Sequence, residues 1–174
     1  MSHPLDDCRE RVTGAREHLV DITRSVQEFL ARNPYRLVQR DAPQTGERVL
    51  PVQVREDSPK LATRVGEMAQ HLRSALDYLS YQLVLANGET PTNATEFPIL
   101  LEAQRYRMDA PRRIRGISAE AAAVIERLQP FNSPTPNRHA LWVLQELNNA
   151  DKHRQLSVVG SALQSQQFTI TATV

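Results

Sequence analysis

Eight residues near the start of the chain, Leu5, Cys8, Val12, Ala15, Leu19, Ile22, Val26 and Phe29, stand alternately three and four apart. That repeat puts a straight apolar seam on a helix, the pattern that packs at the shallow angle of coiled coils and bundles. Asn33-Pro34 ends the helix, because proline disfavours the helical conformation in the residue before it. A second seam runs through Leu61, Val65, Met68, Ala69, Leu72, Ala75, Leu76, Leu79, Leu83 and Ala86, opened by Ser58-Pro59 and closed by Asn87-Gly88. Serine caps and proline at the first helical position mark a start, and glycine marks a stop. Both helices come to roughly 40 Å at 1.5 Å per residue. They are expected to pair antiparallel, each covering the other's seam within one chain.

Between them the period changes from helical to two. Leu37 and Gln39 alternate with Arg36, Val38 and Arg40, and Val49, Val52 and Val54 follow a Pro43-Gln44-Thr45-Gly46 turn. This predicts a β-hairpin over about 35–56, with Pro51 suited to an edge. Further on come a short apolar anchor, Glu96-Phe97-Pro98-Ile99, a helical turn or two over 101–108 before Pro111, and a helix over 118–128 capped by Ser118. A proline-bounded loop over 130–136 leads to the last helix, 139–154. Phe168-Thr-Ile-Thr-Ala-Thr-Val174 alternates as a strand. Either the strands complete a small sheet or the natural chain continues past Val174. The predicted fold is mainly α: an antiparallel bundle with two long helices, an inserted hairpin and a short C-terminal β segment. It divides into 1–156 and 157–174.

The 139–154 helix is unusual in its faces. At about 100° per residue, Ala140, Val143, Leu144 and Leu147 share a face that Asn148, Asp151 and Arg154 continue. Trp142, Glu146, Asn149 and His153 form the opposite stripe. Polar groups continuing a core face must be paired, so Asp77, Asn148 and Asp151 are expected in a structural polar network, with Asn148 or Asp151 largely buried. Trp142, on the outer stripe, is the expected contact for any homodimer.

Lysine and arginine number 21 against 20 acidic residues, leaving a net charge of +1. Any nucleic-acid or membrane contact must therefore rest on a local cluster. No apolar run reaches the ~20 residues of a spanning helix, and the N-terminus lacks a signal-peptide pattern, so a cytoplasmic protein without membrane contact is expected. The five histidines are scattered and the single cysteine sits on the seam, so no metal or cofactor is expected and Cys8 reads as a packed thiol.

Two clusters bear on chemistry. Arg105, Arg107, Arg112, Arg113 and Arg115 fall within eleven residues. They suit either a phosphate grip, with Arg112, Arg113 and Arg115 as nucleic-acid contacts and Tyr106 stacking on a base, or a solvated segment paired with Glu102, Asp109 and Glu120. Arg73 and Asp77, four apart, suit an ion pair. His153, between Lys152 and Arg154, suits either a general acid/base or a helix C-terminus where cations complement the dipole.

The segments Leu72-Arg-Ser-Ala-Leu-Asp-Tyr-Leu79, Glu96-Phe-Pro-Ile99, 117–131 and Glu146-Leu-Asn-Asn-Ala-Asp-Lys-His-Arg154 resemble an uncharacterised family of bacterial proteins. More distantly, two long helices followed by shorter ones and a polar-histidine motif resemble HEPN domains. These are helical bundles of RNases, toxins and defence systems, usually dimeric. Their motif sets an arginine four to six residues before a histidine, for metal-independent RNA cleavage. Here His153 matches, and Asn148 stands where arginine is expected. The resemblance thus implies His153 as acid/base with Lys152 or Arg154 supplying the cation. The reading that follows is a non-catalytic helical interaction or binding module, associated with RNA or a nucleotide. Its alternative is a HEPN-like RNase using His153.

Overall fold

The computed structural model describes residues 3–32, 35–37, 40–41, 48–49, 52–54 and 59–153, with side chains over 3–32 and 61–149. Two long helices dominate, α1 (Asp6–Ala31) and α2 (Pro59–Ala86), followed by α3 (Ala103–Arg113), α4 (Ala119–Arg127) and α5 (Ala140–His153). Among the described residues no helix is long and apolar enough to cross a membrane.

Local chemistry accounts for the ends. Asp6 and Asp7 sit in the first turn of α1, where carboxylates complement the exposed N–H groups. Gly88 adopts φ 77°, and the amides of Gly88 and Glu89 donate back to Leu85 and Val84, closing α2 in a Schellman turn. Ser118 caps α4 by accepting from Ala121 N–H at 3.3 Å. His139 caps α5 through Nδ1, which accepts from Leu141 N–H at 3.3 Å.

Helix α3 departs from the sequence expectation by running through Pro111 to Arg113. Proline removes the donor that would meet the Arg107 carbonyl. Both residues are exposed, so water can take that carbonyl, while Tyr106 and Ala110 anchor the opposite face in the core.

Between α1 and α2, β1 (Tyr35–Leu37) pairs antiparallel with β4 (Val52–Val54), Tyr35 opposite Val54. Likewise β2 (Arg40–Asp41) pairs with β3 (Arg48–Val49). The turn expected at 43–46 and the strand expected over 168–174 lie outside the described residues.

Helices α1 and α2 are antiparallel, as their contacts show in order. Arg11 lies over the Tyr78 ring, Gly14 abuts His71, His18 meets Glu67, and Arg64 reaches Asp21 and Ser25. A Cβ on Gly14 would stand 3.2 Å from His71 Cε1, so glycine is what lets that ring rest against α1. The line of contact is largely polar, and the apolar seam of α1 lies to one side of it. Ala15 is the buried residue of α1; Leu19 remains 51% exposed and Leu30 50%. Of the eight seam residues only Leu19 is exposed; Ala15 is buried and the other six are part-buried, so the expectation that the seam packs within the chain is met along most of its length.

The base of the molecule is better packed. Phe97, Ile99 and Ile125 form its centre, with Leu76, Leu83, Ile114, Ile117, Leu141 and Trp142 against them. This corrects the expected faces of α5 over its first turn, while Leu144, Leu147 and Asn148 lie inward and Glu146 and Asn149 outward as expected. Leu141 and Trp142 turn inward, whereas Val143 is 42% exposed and Ala140 is exposed. The two large side chains offer more apolar area than alanine and valine, so the helix rotates to bury them.

Candidate functional site

The chain over 96–100 is irregular yet threads the centre of the base, so its backbone polar groups need partners. Side chains supply them. Arg73 hydrogen-bonds both carboxylate oxygens of Asp77, at 2.7 and 3.2 Å, and donates to the Phe97 carbonyl at 2.7 Å. Asp77 in turn accepts from Phe97 N–H at 3.0 Å. Gln129 donates to the Pro98 carbonyl at 2.8 Å and accepts from Leu100 N–H at 3.1 Å. Glu96 donates its N–H to the Arg113 carbonyl and accepts from the Arg113 guanidinium at 2.9 Å.

The same network reaches α5. Arg73 donates to Gln145 Oε1 at 3.2 Å, and Gln145 donates to Asn149 Oδ1 at 3.2 Å. One turn along, Asn148 is buried at 4% exposure. That is the face expected for it, and the Arg73–Asp77 pair is the one expected from their spacing. The helix continues through Asp151, Lys152 and His153. The side chains of those three, and the whole of Arg154, lie outside the described residues.

The arginine cluster does not act as one surface. Arg112 and Arg115 are exposed, but Arg113 turns in to Glu96 and Arg105 stands 3.9 Å from Asp109. Tyr106, expected to stack on a base, is buried and packs edge-on against Phe131, with ring centroids 5.5 Å apart. Trp142, expected on an outer face, packs against the core. Cys8 is half-buried, and burial, with Asp7 beside it, raises its pKa, which fits a packed thiol rather than a reactive one.

Sequence reasoning missed Gln129, Gln145 and Glu96 because each pairs with a group distant along the chain. One signal was available. A Phe-Pro-Ile stretch buried without regular structure demands long polar side chains from its neighbours. It missed the His18–His71 pair, with rings 5.3 Å apart, for the same reason.

Helices α3 and α4 leave a groove of about 410 Å³ walled by Ala110, Ala119, Ala122 and Ala123, with Arg107 and Glu126 also lining it. Tyr106 borders this groove, and its buried hydroxyl has no hydrogen-bond partner. Burial, helped by the Glu126 charge, pushes the phenol up from 10.0 to about 12. A pKa raised on folding stabilises fully below 10.0, and that contribution is lost as pH climbs towards about 12. Tyr106→Phe is therefore expected to remove this alkaline loss. Near neutral pH it should leave stability unchanged or raise it by up to about 1 kcal/mol, since an unpaired buried hydroxyl is deleted. Urea unfolding at neutral and alkaline pH checks both; a loss above that size at neutral pH would mean the hydroxyl has a partner.

No family model, curated protein or solved structure matches the chain.

Proposed function

We propose that this chain is a non-catalytic helical interaction module of the cytoplasm. The two long helices α1 and α2 pair along their lengths, and α5 packs against α2. The strand pairs β1–β4 and β2–β3 lie in the connection between α1 and α2. The observation that carries this reading is the half-covered apolar stripe of α1, where Leu19 and Leu30 stay about half exposed. Leu19 and Leu30 lie eleven residues apart on one face of α1, and exposed leucines on a shared face suit a partner. The base supports the reading in another way, because Arg73, Asp77 and Gln129 are occupied in holding the 96–100 segment. RNA or a nucleotide is a secondary ligand, gripped by Arg112 and Arg115 with Arg107 nearby.

The test is incubation of the purified chain with a mixed RNA pool in EDTA. The pool is expected to stay intact. Any RNA binding should weaken with salt and lose about one unit of salt slope per arginine in Arg112→Ala and Arg115→Ala. Cleavage leaving 2′,3′-cyclic phosphates and abolished by His153→Ala would replace this reading with the HEPN-like RNase.

A further inference from the structure

We propose that the groove between α3 and α4 binds a free apolar amino acid. Its carboxylate sits on Arg107, its ammonium on Glu126 and the Tyr106 hydroxyl, and its side chain runs towards the turn at 114–118. The site is independent of the interaction-module reading, since it uses neither α1 nor Arg112 and Arg115.

The groove has two unlike ends. Tyr106, Ala110 and Ile114 stand four apart on one wall, and Ala119, Ala122 and Glu126 three and four apart on the other, so two helix faces look at each other across it. The turn joining α3 to α4 is short, and the Tyr106 hydroxyl feels the charge of Glu126. The start of α3 therefore lies beside the end of α4. One end of the groove carries Tyr106, Arg107 and Glu126, and the other Pro111, Ile114 and Ala119. Past Glu126 it opens into a hollow of about 480 Å³ lined also by Arg127 and Asn132, so the polar end is the mouth.

Charge names the ligand. Arg107 and Glu126 are exposed on opposite walls, and neither side chain makes an ion pair among the described residues. A ligand carrying both signs pairs with each, whereas an anion alone meets Glu126 and a cation alone meets Arg107. Tyr106 is 5% exposed and its hydroxyl has no partner, a state that costs free energy. An ammonium has three donors, enough to serve that oxygen and the Glu126 carboxylate together. The inner end offers no polar side chain, so the rest of the ligand is hydrocarbon.

Size sets the limit. From Arg107 to Ile114 the wall is about 10 Å long at 1.5 Å per residue. A volume of about 410 Å³ stands near the lower end of small-molecule sites. That suits leucine or phenylalanine and excludes a nucleotide, whose phosphates would also face Glu126.

Calorimetric titration of the full chain with L-phenylalanine and L-leucine should show one saturable site. Alanine-methyl NMR should place it, with the Ala119, Ala122 and Ala123 signals moving most. Phenylalaninamide lacks the carboxylate and N-acetylphenylalanine the ammonium, and each should bind roughly tenfold or more weakly. Arg107→Ala and Glu126→Gln, at exposed positions that leave the fold intact, should weaken phenylalanine by as much. Ala122→Leu fills the groove and should abolish binding with helical circular dichroism retained; should that chain not fold, Ala119→Leu, at an exposed position, makes the same test. Three outcomes overturn the proposal. One is no saturable binding at millimolar amino acid. Another is equal affinity for phenylalanine and its two blocked forms, which would leave an apolar slot without a head-group site. The third is a set of methyl shifts centred away from the groove.

Discussion

Arg73→Met is expected to lower the thermal midpoint by roughly 6–12 °C. The substitution keeps most of the side chain's volume and removes its charge. It leaves Asp77 without its ion pair, and the Phe97 carbonyl and Gln145 Oε1 without their donor. Removing one member of a buried ion pair costs about 3–5 kcal/mol. Asp77 is 36% exposed, so water recovers part of that and the lower figure, about 3 kcal/mol, is the better one. Each kcal/mol shifts a chain of this size by about 2–4 °C. Arg73→Lys should rescue little, because an ammonium cannot span Asp77, Phe97 and Gln145 with one fork. Arg73→Met with Asp77→Leu should recover much of the loss, since neither charge is then left alone. Thermal melts of the four proteins decide it. Equal midpoints for the parent and Arg73→Met would show that this network is surface decoration.

These residues mark what a sequence can disclose. The length, order and pairing of α1 and α2 follow from local spacing and end signals, which is why both are met. The Arg73–Asp77 pair was legible because its members lie four apart on one helix. Its reach to Phe97 and Gln145 was not, since those contacts span 24 and 72 residues. Rotation of α5 depended on a competition between Leu141 with Trp142 and Ala140 with Val143. Periodicity finds an apolar face but does not weigh two overlapping ones; only the tertiary packing around Phe97 does. The α1 seam illustrates the converse. Its repeat is plain in the sequence, yet a straight seam states only that something packs there. In this chain α2 also meets α1 through the seam's polar neighbours Gly14, His18 and Asp21, and of the seam itself Leu19 is the residue left exposed.

Gln129 offers the sharpest separation of hydrogen bonding from packing. It is 1% exposed, and its amide serves the Pro98 and Ile125 carbonyls while its oxygen takes Leu100 N–H. Gln129→Leu fills nearly the same volume but leaves these buried groups unpaired, at about 1–3 kcal/mol each where no water reaches them. A total of roughly 3 kcal/mol is expected, again roughly 6–12 °C. Gln129→Glu should be worse near neutral pH, because a carboxylate cannot donate to two carbonyls and its charge is buried. Its cost should shrink on acidification. Burial raises the folded-state pKa of the introduced acid, so its protonated form, which can donate, stabilises below the unfolded pKa of about 4.3 and is lost as pH rises. A Gln129→Leu protein should show no such extra pH dependence relative to the parent. If both variants melt with the parent, the 96–100 segment finds its partners elsewhere and the buried-loop account fails. If Leu is tolerated and Glu is not, exclusion of a buried charge rather than hydrogen bonding sets the site.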